Sequence, residues 1–176
     1  VIFSKTELLG AWMIEPERLT DERGFFARLF DSRAFAARGL ATVFPQISVS
    51  YNRLAGTLRG MHFQVDPHQE AKLIRCTAGA VYDVIIDLRG DSATFGRWTA
   101  VDLTAENRRT LYVPPGLAHG FQTRTDNAEL LYHISAPYEP SSARGVRWND
   151  PFFQISWPAE PRVISDKDCA YPDFLP

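Results

Sequence analysis

Only two cysteines occur in 176 residues, Cys76 and Cys169, too few for a disulfide framework. That excludes the small secreted domains that cross-links hold together. Long apolar runs are missing as well. No uninterrupted apolar stretch approaches the ~18 residues of a membrane span, and no leader-like pattern of charge followed by an apolar block is present, so a cytosolic protein is expected. There is no excess of basic residues. A net charge of −2 argues against a nucleic-acid surface, although a local group of arginines would still hold a small anion. Internal repeats and low-complexity linkers are also lacking. What remains is 45% hydrophobic, enough for one domain over residues 1–176 with a sizeable core.

Helical patterning is confined to "DSRAFAARG", with Asp31 or Ser32 as N-cap and Gly39 as terminator. Most of the remainder alternates in strand fashion. The clearest runs are "AKLIRCTAG", "AVYDVIIDLRGDS", "RWTAVDLTAEN", "RTLYVPPGLAHGFQT" and "AELLYHISAPY", separated by Gly, Pro, Asn and Asp clusters. Strands in this number with almost no helix between them predict a mainly β fold with one or two short helices. The architecture expected is an antiparallel jelly-roll barrel that encloses a ligand. The final third, rich in Trp, Pro and Asp, is expected to pack as loops across the outside.

Against that frame some polar residues stand out. "GTLRGMHFQ" places Arg59 and His62 in a strand heading for the core, and such groups are seldom buried unless paired. They therefore reach solvent or line a cavity. An imidazole titrates near neutrality and suits a general base, while an isolated histidine in a barrel is more simply a hydrogen-bonded structural residue. Lys72 shares strand parity with Ile74 and Cys76, which puts it on an apolar face. Either that face opens to a ligand or the lysine snorkels to the rim. Arg59 and Arg23 have the forked guanidinium that matches phosphate, although Arg23, in the turn "TDERG", also reads as an ordinary surface residue.

Two motifs sharpen this reading. Gly56 with His62, and Pro114, Gly116 and His119 in "PPGLAHGF", resemble the two signature motifs of cupins. Metal-binding cupins place a His-x-His pair and a glutamate in the first motif. Here Gln64 follows His62, and a neutral amide is a poor transition-metal ligand. His62, Glu70 and His119 would make only an irregular site, so no metal is expected. Within cupins the chain resembles the dTDP-4-dehydrorhamnose 3,5-epimerase family. The matching runs are "DERGFFARLF", "GTLRGMHFQ", "EAKLIRCTAGAVYDVIIDLR", "SATFGRW", "LTAEN", "VPPGLAHGF", "WNDP" and "ISDKD", in family order from about residue 15 to about residue 170.

The resemblance implies a cupin-type jelly-roll homodimer that acts on the nucleotide diphosphate of a 4-keto-6-deoxyhexose, without metal or organic cofactor. Inverting a carbon beside a ketone needs a base, an opposed acid and a donor on the enolate oxygen. The family pattern gives these roles to His62, Tyr132 and Lys72, with Asp168 orienting His62; Asp83 is a rival orienter. Tyr132 is nominated by the resemblance alone, since a tyrosine in a barrel strand otherwise reads as core. The pattern further implies substrate contacts from Arg59, His119, Tyr138 and Lys167, and from Arg23 and Phe26 reaching the partner's site. Three positions depart from it. Arg28 replaces a glutamate, the Gln-x-Asn-x-Ser element reads Gln46, Ser48, Ser50, and Ala143 replaces another glutamate. These changes predict the same reaction class on a different nucleotide sugar, with GDP or CDP in place of dTDP. The rival readings are a 3,4-ketoisomerase and a non-catalytic sugar- or metal-binding cupin.

Overall fold

A computed structural model describes residues 1–176. Two antiparallel sheets face each other around a common interior, as the strand pattern predicts. The six-stranded sheet has the order β1 (Ile2–Lys5), β2 (Trp12–Glu15), β10 (Thr110–Val113), β7 (Lys72–Ala78), β12 (Ala128–Ile134), β5 (Gln46–Asn52). The five-stranded sheet runs β13 (Ala143–Gly145), β6 (Leu58–Gln64), β11 (Leu117–Thr123), β8 (Ala80–Asp87), β9 (Trp98–Thr104). A separate hairpin is formed by β3 (Arg18–Asp21) and β4 (Gly24–Ala27). Two short helices complete the chain, α1 (Ser32–Ala36) and α2 (Asp166–Cys169). Asp31 caps α1 by accepting from the Arg33 and Ala34 N–H groups. The helix ends at Ala36, and the turn that follows carries the chain to Gly39. No helix is long and apolar enough to cross a membrane.

Alternation decides which side chains enter the barrel. Ile74 and Cys76 on β7, Leu130 on β12, Ile85 on β8 and Phe121 on β11 meet in the central cluster. Lys72 and Tyr132 share the parity of these apolar neighbours and so point to the same interior. On the outside of the six-stranded sheet, Phe35, Leu40, Leu73 and Tyr112 form a second cluster beneath α1. The final third covers the other sheet, with Phe153, Val146 and Trp157 over Met61, Val84 and Ile86. That is the outer layer of loops the composition predicts.

One irregularity shapes the interior. Along β6 and β11 the register pairs His62 with His119 but Arg59 with Phe121, so three steps on β6 match two on β11. The extra residue makes a β-bulge, which switches parity within β6. Arg59 and His62, an odd number of residues apart, therefore both face inward. Gly60 sits in the bulge at φ +130°, and a Cβ there would lie 2.5 Å from Gly120 Cα. Only glycine fits this crossing of two backbones.

The β8–β9 connection is organised by a buried carboxylate. Asp87 accepts from the Arg89 guanidinium at 2.7 and 2.8 Å and from the Ser92 and Thr94 hydroxyls at 2.6 Å. Burial pushes the Asp87 carboxyl upward, but these bonds outweigh it and bring its pKa to about 2. Its folded value thus lies below its unfolded one. The pairing is fully stabilising above about pH 4 and is lost as pH falls toward about 2. Asp87→Asn is expected to destabilise the fold at neutral pH by on the order of 2 kcal/mol. That deficit should shrink through the same acid window in urea melts, and a deficit independent of pH would contradict the assignment.

Candidate active site

A cavity of about 590 Å³ opens between the two sheets. Its polar lining includes Ser48, Ser50, Arg59, His62, Lys72, His119, Tyr132, Lys167 and Asp168. Residues spread over more than a hundred positions meet here because β6 and β11 supply one wall, β5, β7 and β12 the facing wall, and α2 the rim.

His62 stands on β6 with Nε2 at 2.7 Å from Asp168 Oδ1. The carboxylate comes from α2, where Ser165 is the N-cap and accepts from the Asp168 N–H at 3.1 Å. The second oxygen, Oδ2, accepts from the Gly60 N–H at 3.2 Å. Burial raises the Asp168 carboxyl, yet the bonds from His62, Gly60 and Ser165 prevail and hold it below the usual carboxylate range. An ionised Asp168 accepts a hydrogen bond from Nε2–H, which selects the tautomer with its lone pair on Nδ1. The local sequence "SDKD" thus builds a cap whose third helical residue clamps the histidine.

On the opposite wall, Tyr132 of β12 is half-buried with its ring 5.8 Å from that of His119, edge to face. Burial first, and the Asp83 charge second, raise its hydroxyl well above the usual tyrosine range. It therefore stays protonated, in the state of a proton donor. Lys72 of β7 pairs with Glu70 at 3.0 Å and donates to the His62 carbonyl at 3.4 Å. Asp83, the rival orienter, serves the other histidine: both its oxygens lie 2.9 Å from His119 Nε2. Burial drives the Asp83 carboxyl upward, with His119 opposing.

The remaining predicted contacts divide. Arg59 lines the cavity with Nε donating to Asn52 Oδ1 at 2.7 Å. Asn52 went unnoticed in the sequence, although it continues the parity of Gln46, Ser48 and Ser50. Gln46 accepts from the Tyr138 N–H at 2.9 Å rather than lining the cavity. Tyr138 and Ala143 border an adjoining cavity of about 320 Å³ that shares His62, Lys72 and Lys167 with the first. Tyr171, also unforeseen, fills the space beside Gly145 that a side chain there would need and lies edge-on to His62, with ring centroids 6.4 Å apart; only folding joins these positions. Arg23, Phe26 and Arg28 do not reach the cavity of their own chain. Arg23 and Phe26 sit on the projecting hairpin, Arg23 paired with Asp21, and the exposed Arg28 pairs with Asp31.

The irregular metal site is not assembled. His62 faces Asp168, His119 faces Asp83, Glu70 faces Lys72, and nowhere do three His, Cys, Asp or Glu side chains converge. Gln64, where metal cupins have histidine, gives both ends of its amide to the backbone, at His68, Pro137 and Glu139.

Comparison with known proteins agrees with this geometry. Residues 5–175 match the family described as dTDP-4-dehydrorhamnose 3,5-epimerase. An enzyme of that name from Shigella flexneri is 42% identical, over 93% of this chain and 91% of its own. The Bacillus anthracis structure, with TDP and PPi bound, superposes with a TM-score of 0.93 at 40% identity, covering 98% of this chain and 99% of its own. ChmJ, a 3'-monoepimerase from Streptomyces bikiniensis in complex with dTDP-quinovose, gives 0.87 at 35%, over 96% and 85%. Matched along nearly its whole length, this jelly roll belongs to the dTDP-4-dehydrorhamnose 3,5-epimerase family of nucleotide-sugar isomerases.

Proposed function

We propose that residues 1–176 act as a single cytoplasmic jelly-roll domain inverting C3, C5 or both of an NDP-4-keto-6-deoxyhexose. The observation that carries this is the opposition of His62 with Asp168 on one wall to Tyr132 and Lys72 on the other. His62 removes the proton beside the ketone, and Asp168 steadies the imidazolium that results. The electron pair moves to the carbonyl oxygen, where Lys72 stabilises the enolate. Tyr132 returns a proton from the opposite face, which inverts the carbon. The ketone supplies the acidity, and the sequence is redox-neutral throughout. Arg59 and Lys167 at the cavity wall suit the diphosphate, and His119 suits a sugar oxygen. A ketoisomerase would use similar transfers, but a binding-only cupin has no need of an opposed acid and base.

We also propose a homodimer in which the hairpin completes the partner's site. Leu19 and Phe26 pair across β3 and β4 and are 70% and 71% exposed. Phe25, on the other face, is held between the Arg18 and Arg108 guanidiniums at 5.1 and 4.9 Å. An isolated two-stranded hairpin is marginal in water, so this anchored arm calls for a cover. Ile47, Val49 and Tyr51 leave a matching apolar row exposed on β5, beside the cavity.

Three outcomes test these readings. In deuterated water, His62→Ala is expected to abolish both inversion and solvent exchange, by about 10²–10⁴-fold. Lys72→Ala should lose both, whereas Tyr132→Phe should keep exchange while inversion collapses. Equal loss of the two in Tyr132→Phe would remove the tyrosine from the role of acid. Mixing inactive Arg23→Ala and His62→Ala protomers should restore activity if the arm crosses between subunits, because one hybrid site is then intact. No recovery on mixing would overturn the crossing of the arm between subunits. Ser48 and Ala143 border the two cavities and Arg28 follows the hairpin, which supports an altered nucleotide preference. Competition among dTDP, GDP, CDP and UDP should favour a base other than thymine, and a clear dTDP preference would overturn that part.

A further inference from the structure

The cation at the reaction centre is held by a carboxylate to which the mechanism above assigns no part. Glu70 Oε1 lies 3.0 Å from Lys72 Nζ, and the two side chains are only 6% and 12% exposed. The other carboxylate oxygen, Oε2, is buried without a hydrogen-bond partner. A carboxylate desolvated this far is tolerated through its ammonium partner. The dependence runs both ways. Lys72 has three N–H donors; one meets Glu70, one points to the His62 carbonyl at 3.4 Å, and one is left for the cavity that Lys72 lines. Two bonds fix the rotation of the ammonium and so aim the third donor.

The charge setting points the same way. Glu70 borders the smaller cavity, where it is the only acidic residue beside Lys72, Arg144 and Lys167. Ala143, which replaces the glutamate of the family pattern, borders that cavity too. The acidic group beside the lysine thus comes from the connection before β7.

We propose that Glu70 is a positioning residue that fixes Lys72 for the enolate oxygen. This rests on the reading of Lys72 given above. A preorganised donor stabilises developing charge without reorganising during the reaction. An ammonium free to swing loses that advantage, and a misplacement of about 1 Å at a reacting centre costs about 10²-fold in rate.

Glu70→Gln is nearly isosteric and keeps the packing while removing the charge. Its kcat for both exchange and inversion in deuterated water should fall by about 10–10²-fold, with KM and nucleoside diphosphate affinity nearly unchanged. A role in stability alone would instead lower the melting temperature with kcat preserved. Glu70→Ala provides a second reading should the amide variant fold poorly, with an equal or larger loss of kcat. Parental kcat in either folded variant, while Lys72→Ala loses exchange, would overturn the role of Glu70 alone. Exchange surviving in Lys72→Ala would instead remove the reading of Lys72 on which this inference depends.

Discussion

The contact on which the rest of the site depends is the carboxylate of Asp168 against the barrel wall. It joins α2 to β6 through His62 on one oxygen and the Gly60 N–H on the other. The first bond sets a tautomer and the second ties the carboxylate to the bulge. Because the bulge also turns Arg59 inward, one group locks both the imidazole and the strand geometry that brings Arg59 into the cavity. The balance within Asp168 shows how: burial opposes its charge, and three donors restore it. A site open enough for a nucleotide sugar could not otherwise hold an imidazole in one orientation.

Three carboxylates each meet a nitrogen partner around the same interior: Asp168 with His62, Asp83 with His119, and Glu70 with Lys72. A buried ion pair such as Glu70 with Lys72 adds little net stability over apolar packing, and what each of the three pairings fixes is where its side chains point. The apolar half of the interior carries the fold instead, through Ile74, Cys76, Ile85 and Phe121. The barrel is thus divided lengthwise into a part that packs and a part that reacts. β7 spans both, with Lys72 at one end and Cys76 toward the other.

How much of this could be read from the chain varies with the range of the interaction. Strand alternation revealed the sheets and the inward face of Lys72, because a period of two is a local property. The helix start at Asp31 was equally visible, since a cap is a contact over two or three residues. The bulge was not: simple alternation sends Arg59 and His62 to opposite faces, and only the register against β11 reverses this. The partners of Asp83 and Glu70, and the packing of Tyr171 beside Gly145, depend on pairings that no short window contains. Tyr132 entered through family likeness alone. The hairpin residues Arg23 and Phe26 form a further class, because they stay exposed on β3–β4, away from the cavity of their own chain.

The distance along the chain between His62 and Asp168 bears on how the protein matures. The two are 106 residues apart. On the ribosome, β6 and its histidine emerge long before the carboxylate that orients them. Strands β6 to β12 can pair while the imidazole still turns freely. The ring is fixed only when α2 docks against β6. Sheet pairing and the orientation of the imidazole are thus separate events along the chain, the second waiting on α2.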